Sequence, residues 1–249
     1  MDVYSFILIL ATGLFAGGFG AAVGSSLLVI FPSLVFLGVP AHVALGTGKL
    51  SAIFRDIPAL VNYHKGQKVD YRTGVTYTLS TIAGTALSSF FALSLAPRTL
   101  EIIISICMIL VGVVIIANPS TGLHKGPLKA PGGSAWGIVP FGFMIGLYDG
   151  IFGGGVSIFI ILLFVFKAGH DYLTAVGTSK VPNIITCVVF VGIFAAHGKV
   201  DYGYAIPLII GMTIGGHVGS KIALVQGNRY VRAILICVVF AMALKLLLL

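Results

Sequence analysis

Long apolar stretches separated by short polar loops dominate the pattern of this chain. The first apolar run covers residues 4–36 and contains glycines near residues 17–24. As one straight helix it would far exceed the roughly 30 Å hydrocarbon core of a bilayer, so we expect it to fold back as two segments. Apolar spans of crossing length follow at about 43–63, 74–96 and 100–117.

The same plan recurs after a polar linker at residues 118–135. A broken run occupies about 136–168, and spans follow at about 172–196, 203–225 and 230–248. The alternation expected of a transmembrane β-barrel does not occur. The pattern predicts an all-α polytopic membrane protein, with residues 1–249 forming one transmembrane domain.

The two halves of the chain align with each other without a gap. Residues 68–71 and 199–202 both have the sequence Lys-Val-Asp-Tyr, and at the same offset Lys49 meets Lys180, 131 positions later. Chance matches between apolar segments do not explain both agreements in one register. We therefore expect two repeats, at about 4–117 and 136–249, each built from a folded-back segment and three helices.

The number of crossings predicts that the repeats have opposite orientations. A folded-back segment returns to its starting side, and three further spans bring the second repeat to the opposite face, as in many secondary transporters. Loop charges agree, because one side receives most cations: Lys65, Lys68, Arg72, Lys125, Lys129, Lys167, Arg229 and Arg232. This side should be cytoplasmic, which places both termini outside the cytoplasm.

Composition supports a membrane protein and adds a positive charge. Only 9% of residues are charged and the mean hydropathy is +1.09, whereas soluble domains carry about 25% charged residues. The net charge of +8 comes from loops and helix ends, so it indicates topology rather than nucleic-acid binding. We expect an inner (plasma) membrane location, contact with the lipid bilayer and no nucleic-acid partner; a homodimer is an open option.

The two glycine-rich breaks are candidate binding elements. Gly24 and Ser25 lie in the first break, and Gly154 and Gly155 lie in the second. A broken helix offers free backbone N–H groups and a helix N-terminus that favours anions. Tight helix packing through small residues is the alternative, but paired interruptions favour a transporter site.

The duplicated lysine motifs indicate the charge of the ligand. Thr47, Gly48 and Lys49 in the first half correspond to Thr178, Ser179 and Lys180 in the second half. Ammonium groups at membrane depth are costly and usually functional. Each lysine lies only about seven residues into its span, so snorkelling to the interface is the alternative.

Other polar residues within the spans extend the candidate site. Arg55 can fork onto an anionic substrate, and a contact with Asp149 or a carbonyl is an equal alternative. A salt bridge with its neighbour Asp56 is not expected, because adjacent helical residues do not share a face. Asn183 can donate to an oxyanion or bond to another helix. Asp149 is a candidate for coupling to H⁺ or Na⁺, or a counter-charge for the lysines.

Motifs for catalysis or cofactor binding are missing. The sequence contains no Walker A, HExxH or CxxC pattern. Cys107, Cys187 and Cys237 have no ligand spacing. We expect no enzyme activity, no cofactor and no metal site.

Several of these motifs resemble the sulfite exporter TauE/SafE family, also called the toluene sulfonate uptake permease family. The resemblance spans nearly the whole chain and is strongest at residues 146–153, GLYDGIFG, and 174–183, TAVGTSKVPN. The first half departs from the family pattern: Gly20–Ser26 is not a run of glycines, and Gly48 replaces an asparagine. The resemblance implies transport of sulfur-containing anions such as sulfite or sulfoacetate, more often as export.

These observations predict a secondary transporter with a small anionic substrate bound near the bilayer midplane between the two broken helices. Alternating access would exchange the conformations of the two repeats. A passive anion channel and an uptake permease for another organic anion remain alternatives.

Overall fold

The computed structural model describes residues 3–117 and 139–247, and all regular structure in these ranges is helical. The linker predicted at 118–135 lies outside them. In chain order the helices are α1 (Val3–Val23), α2 (Leu27–Phe36), α3 (Ala41–Lys65), α4 (Tyr71–Ser94), α5 (Pro97–Ala117), α6 (Val139–Ile151), α7 (Val156–Lys167), α8 (Tyr172–Ala196) and α9 (Tyr202–Leu247).

Both long apolar runs are broken. Gly24 (φ 98°) ends α1, and Gly153 (φ 71°) and Gly155 (φ 83°) separate α6 from α7. Residues other than glycine rarely adopt these positive φ values. The glycines therefore turn the chain at points where the apolar pattern alone would continue the helix. The following helices, α2 and α7, have 10 and 12 residues. At 1.5 Å per residue they are too short to cross the hydrocarbon core.

The first broken run folds back on itself. Ile30 and Leu34 of α2 share a groove with Leu8 and Thr12 of α1. The end of α2 therefore lies beside the beginning of α1, as the length of the run predicted.

Helix boundaries recur in the second half at the spacing of the sequence repeat. α3 and α8 correspond residue for residue, and α4 and α9 begin at equivalent positions, Tyr71 and Tyr202. The spans predicted at 203–225 and 230–248 are the two helical parts of α9, and they are separated at Gly227, where the backbone is not helical (φ 75°, ψ −170°).

Equivalent helices α3 and α8 lie side by side in opposite directions. Asp201, just after α8, contacts Thr47 near the start of α3. Lys68, just after α3, forms an ion pair with Asp171, immediately before α8. These contacts join the end of each helix to the beginning of the other.

Glycines allow two further helix pairs to pack closely. A Cβ at Gly146 of α6 would collide with the Thr81 carbonyl of α4, and one at Gly215 of α9 would collide with the Leu14 carbonyl of α1. Such close backbone approach is typical of helices that associate in lipid.

Three of the helices in the described ranges are long and apolar enough to cross a membrane, in Tyr4–Ala22, Tyr172–Ala196 and Tyr202–Gly227. α3 is equally long, but it carries Lys49, Arg55 and Asp56 in its interior. These three charged residues are buried between the helices.

Candidate functional site

A small cavity lies where the two helix breaks meet α3, α6 and α8. Its volume is about 20 Å³, which is room for roughly one water molecule. The lining residues come from both halves of the chain: Gly24, Ser25, Ser26, Leu27, Lys49, Ala52, Arg55, Asp149, Gly153, Ser157, Asn183 and Cys187.

Lys49 points into the protein and is held by Asp149. Its Nζ donates to the Asp149 carboxylate at 2.7 Å and to the carbonyl oxygen of the same residue at 2.5 Å. The Phe190 ring centroid lies 4.2 Å from Nζ, close enough for a cation–π contact. Both charged side chains are 3% exposed. Lys49 therefore does not snorkel to the membrane surface.

Arg55 forms an ion pair with Asp56, although a pair between these adjacent residues was not expected from the sequence. Nε and Nη2 donate to the two carboxylate oxygens at 2.8 and 2.6 Å, and Nη1 donates to Ser26 Oγ at 2.5 Å. The expectation was wrong because the rule for adjacent helical positions describes Cβ directions. The long arginine stem lets its planar guanidinium reach back to a neighbouring carboxylate.

Asp56 also holds Lys180 and Asn183. Lys180 Nζ lies 3.3 Å from Asp56 Oδ1 and donates to the Gly20 carbonyl at 3.0 Å. Asn183 Nδ2 donates to Asp56 Oδ2. Lys180 is 1% exposed, so it does not snorkel either. Asn183 here bonds to another helix, the alternative to oxyanion contact that its position left open.

The cluster formed by Lys49, Arg55, Asp56, Asp149 and Lys180 has more cations than carboxylates. With every group in its usual ionised state, three positive charges face two negative ones, so one positive charge is in excess. Buried charges without partners are costly. Among the described residues, one positive charge of this cluster therefore has no carboxylate of its own.

The first turns of α2 and α7 border the same cavity. Gly24–Leu27 and Ser157 line it, and α2 and α7 begin at Leu27 and Val156. Helix N-termini carry partial positive charge and free N–H donors. The Gly155 N–H already donates to Ser25 Oγ at 2.6 Å, which joins the two breaks directly.

The structure separates Thr47 and Thr178 from the lysines of the same motifs. Thr47 Oγ1 accepts from Asp201 N at 3.0 Å, and Thr178 Oγ1 accepts from Asp70 N at 2.9 Å. Residues two apart on a helix face opposite sides. Neither threonine is among the residues that line the cavity.

Gly48, Ser179 and Gly154 also have other neighbours. Gly48 packs against Leu27, Ser179 Oγ donates to the Val176 carbonyl, and the Gly154 carbonyl accepts from the Tyr148 hydroxyl. None of these three residues lines the cavity. Gly155 does not line it either, but its N–H donates to Ser25, which does.

Sequence reasoning missed Asp56, the acceptor for three of the site's donors. The available signal was an acid in the middle of an apolar span, where ionisable residues are rare. Four further residues that line the cavity were not predicted as site residues: Ser26, Gly153, Ser157 and Cys187. Within the described ranges no group of three His, Cys, Asp or Glu side chains is arranged to hold a metal ion.

Comparisons with known proteins show that the chain is similar in sequence to probable membrane transporters. The sequence profile of the family described as Sulfite exporter TauE/SafE matches residues 9–246. Over 233 residues the chain is 28% identical to the probable membrane transporter protein ORF9 of Sinorhizobium sp, covering 93% of this chain and 88% of the relative.

Two further relatives show similar coverage. Identity is 25% over 236 residues with the probable membrane transporter protein YfcA of Escherichia coli strain K12, covering 93% of this chain and 86% of the relative. It is 27% over 245 residues with the probable membrane transporter protein YunE of Bacillus subtilis strain 168, covering 88% of each. No solved structure matches the chain.

Proposed function

The chain belongs to the sulfite exporter TauE/SafE family, and from that premise we propose that it is a secondary transporter of a small sulfur-containing anion. Sulfite and sulfoacetate represent the substrate class. Export is the direction that the family resemblance favours.

The excess positive charge at the small cavity carries this proposal. Three buried cations face two carboxylates beside the first turns of two helices. An anion at this position would supply the missing charge. Its oxygens would accept hydrogen bonds from Lys49, Arg55 and the backbone N–H groups of the breaks.

Asp149 forms an ion pair with Lys49, so it would compete with an incoming anion for the ammonium group. A substrate with one negative charge neutralises the excess. A substrate with two negative charges requires a further positive charge, which protonation of Asp149 provides. The proposed coupling ion is therefore H⁺, and Asp149 is its binding residue.

The size of the cavity favours alternating access over a passive channel. About 20 Å³ cannot contain a sulfonate group, so the helices around the cavity must separate for substrate to enter. Two inverted repeats provide a symmetric way to open each side in turn. The matching boundaries and antiparallel packing of α3 and α8 support this arrangement.

Counterflow in proteoliposomes tests the function. Vesicles loaded with unlabelled sulfoacetate should accumulate labelled sulfoacetate, and sulfite should compete better than acetate. Lys180→Met removes the excess charge, whereas Asp56 keeps Arg55 and Asn183 as partners. We expect uptake to fall by at least about tenfold.

Lys221→Met is the matched control, because Lys221 is an exposed lysine of α9 and its loss should leave uptake unchanged. Circular dichroism melting confirms that each variant is folded. Uptake of labelled sulfoacetate at the wild-type rate by folded Lys180→Met would contradict the proposal. So would a wild-type protein whose uptake sulfite and sulfonates do not inhibit. A steady ionic conductance would indicate a channel instead.

A further inference from the structure

One face of α8 lies along the charged cluster. Residues three or four positions apart on a helix share a face, and on α8 these are Lys180, Asn183, Cys187 and Phe190. Asn183 donates to Asp56, and the Phe190 ring centroid lies 4.2 Å from Lys49 Nζ. Cys187 is one helical turn from each of these contacts, is 3% exposed and lines the same cavity as Lys49. Its thiol therefore belongs to the wall of the candidate site.

Cys187 occupies the position that Asp56 holds in the first repeat. The two residues are 131 positions apart, which is the offset that relates the halves of the chain. Asp56 is the carboxylate that pairs with both Arg55 and Lys180. At the equivalent position the second repeat has a thiol, which is mostly uncharged at pH 7. The sequence repeat thus supplies a lysine twice, but this acid only once.

We propose that Cys187 determines the charge selectivity of the substrate site. A carboxylate at this position would raise the number of carboxylates in the cluster to three, equal to the number of cations. The thiol instead leaves one positive charge without a carboxylate of its own, and an anionic substrate can balance that charge. This inference rests on the proposed function and assigns its preference for anions to a single residue that is itself uncharged.

Packing alone would give Cys187 a different role. Its side chain also belongs to an apolar cluster that includes Phe152 and Phe190. A residue that only fills space affects folding and transport through the volume of its side chain. A residue that sets selectivity changes the preference between ligands when its charge changes at nearly constant volume, and this difference separates the two roles.

Cys187→Asp and Cys187→Asn form a matched pair, because the two side chains have nearly the same shape and differ in charge. Isethionate and taurine form a matched pair of ligands. Both are two-carbon sulfonates, but isethionate carries one negative charge, whereas the ammonium group of taurine leaves it without net charge at pH 7. Counterflow is measured in proteoliposomes with each labelled ligand separately, and the result is the ratio of isethionate uptake to taurine uptake.

The ratio in Cys187→Asp should be at least about tenfold lower than in Cys187→Asn, because the added carboxylate repels the anion and attracts the ammonium group. A gain of taurine uptake cannot result from misfolding. Equal ratios in the two variants would overturn the assignment of selectivity to Cys187.

A second readout uses the native thiol and requires no transport. With Cys107→Ala and Cys237→Ala, Cys187 is the remaining cysteine. Its rates of modification by anionic sulfonatoethyl methanethiosulfonate and cationic trimethylammonioethyl methanethiosulfonate are each divided by the rate with free mercaptoethanol. In both reactions Sγ forms a mixed disulfide and methanesulfinate leaves. The anionic reagent should react at least about tenfold faster on this scale, because the excess positive charge attracts it.

Lys180→Met in the same background should reduce this preference by about tenfold, since it removes the excess charge. An absence of reaction with either reagent, or a preference that Lys180→Met leaves unchanged, would overturn the proposed role of Cys187. Absence of wild-type counterflow contradicts the proposed function, while the modification rates still decide whether Cys187 faces an excess of positive charge.

Discussion

Lys49 and Lys180 each form an ion pair with an aspartate from the opposite half of the chain, although Lys180 shares its aspartate with Arg55. Lys49 pairs with Asp149, and Lys180 pairs with Asp56. Neither acid is duplicated, because Asp149 aligns with Gly18 and Asp56 aligns with Cys187. The lysines could be predicted because the repeat contains them twice. Asp149 was expected as a possible counter-charge for the lysines, and it pairs with Lys49. The pairing of Lys180 with Asp56 was not predicted, because contact between distant helices depends on how they pack.

Asp149→Asn should strengthen anion binding and remove its dependence on pH. Because the proposed binding of a doubly charged substrate includes one proton, affinity of the wild type for sulfoacetate should rise as pH falls. The amide cannot hold Lys49 through an ion pair, so we expect affinity at neutral pH to rise by about tenfold. Lys49 retains the carbonyl of residue 149 and the Phe190 ring as neighbours, which limits the cost to folding.

Titration calorimetry in buffers of different ionisation enthalpy measures this effect. Wild-type protein should take up about one proton with sulfoacetate, and Asp149→Asn should take up none. Methanesulfonate, which carries a single charge, is the control ligand and should bind both proteins without proton uptake. Equal proton uptake by the two proteins would remove Asp149 from the coupling mechanism.

At the scale of elements, each Lys-Val-Asp-Tyr loop docks on the Gly-Thr pair of the opposite half. The Lys68 carbonyl lies against Gly177 and the Lys199 carbonyl lies against Gly46, while the threonines accept loop N–H groups. The sequence shows both motifs as repeats, and apolar length predicts α8 to the residue. It does not show that the motifs contact each other, because a threonine and a lysine two positions apart face different neighbours.

Gly177→Ala should destabilise the protein by about 1–3 kcal/mol, because the new Cβ collides with the Lys68 carbonyl and the loop must move. Gly192→Ala is a control in the same helix, since that position has open space around it. Alanine there should be neutral or slightly stabilising. Thermal unfolding in detergent, followed by circular dichroism, compares the two variants, and equal melting temperatures would refute the docking contact.

At the scale of the whole molecule, the helices follow the sequence repeat, but Arg55, Asp56 and Asp149 of the charged cluster do not. Boundaries recur at the repeat spacing, and α3 and α8 run in opposite directions. The crossing count and the loop charges predict this arrangement from sequence because bilayer thickness limits helix length. The small volume of the cavity, about 20 Å³, was not predictable, since it depends on side-chain packing between both breaks.

Inverted repeats place equivalent residues on opposite sides of the membrane. Lys65 and Ala196 occupy the same position in the two repeats, and both are exposed. In a background without native cysteines, we expect Lys65→Cys to react with an impermeant thiol reagent only from the cytoplasmic side. Ala196→Cys should react only from the outside, and labelling of both from one side would exclude inverted topology.

The location of a bound anion tests the central claim most directly. Crystals grown with bromomethanesulfonate, a small anion with a strong anomalous scatterer, would show where the sulfonate binds. The account predicts an anomalous peak between the two breaks, with the sulfonate within hydrogen-bond reach of Lys49 or Arg55, and no such peak in Lys180→Met crystals. A well-occupied peak elsewhere in the protein, with the cavity between the breaks still closed, would contradict it.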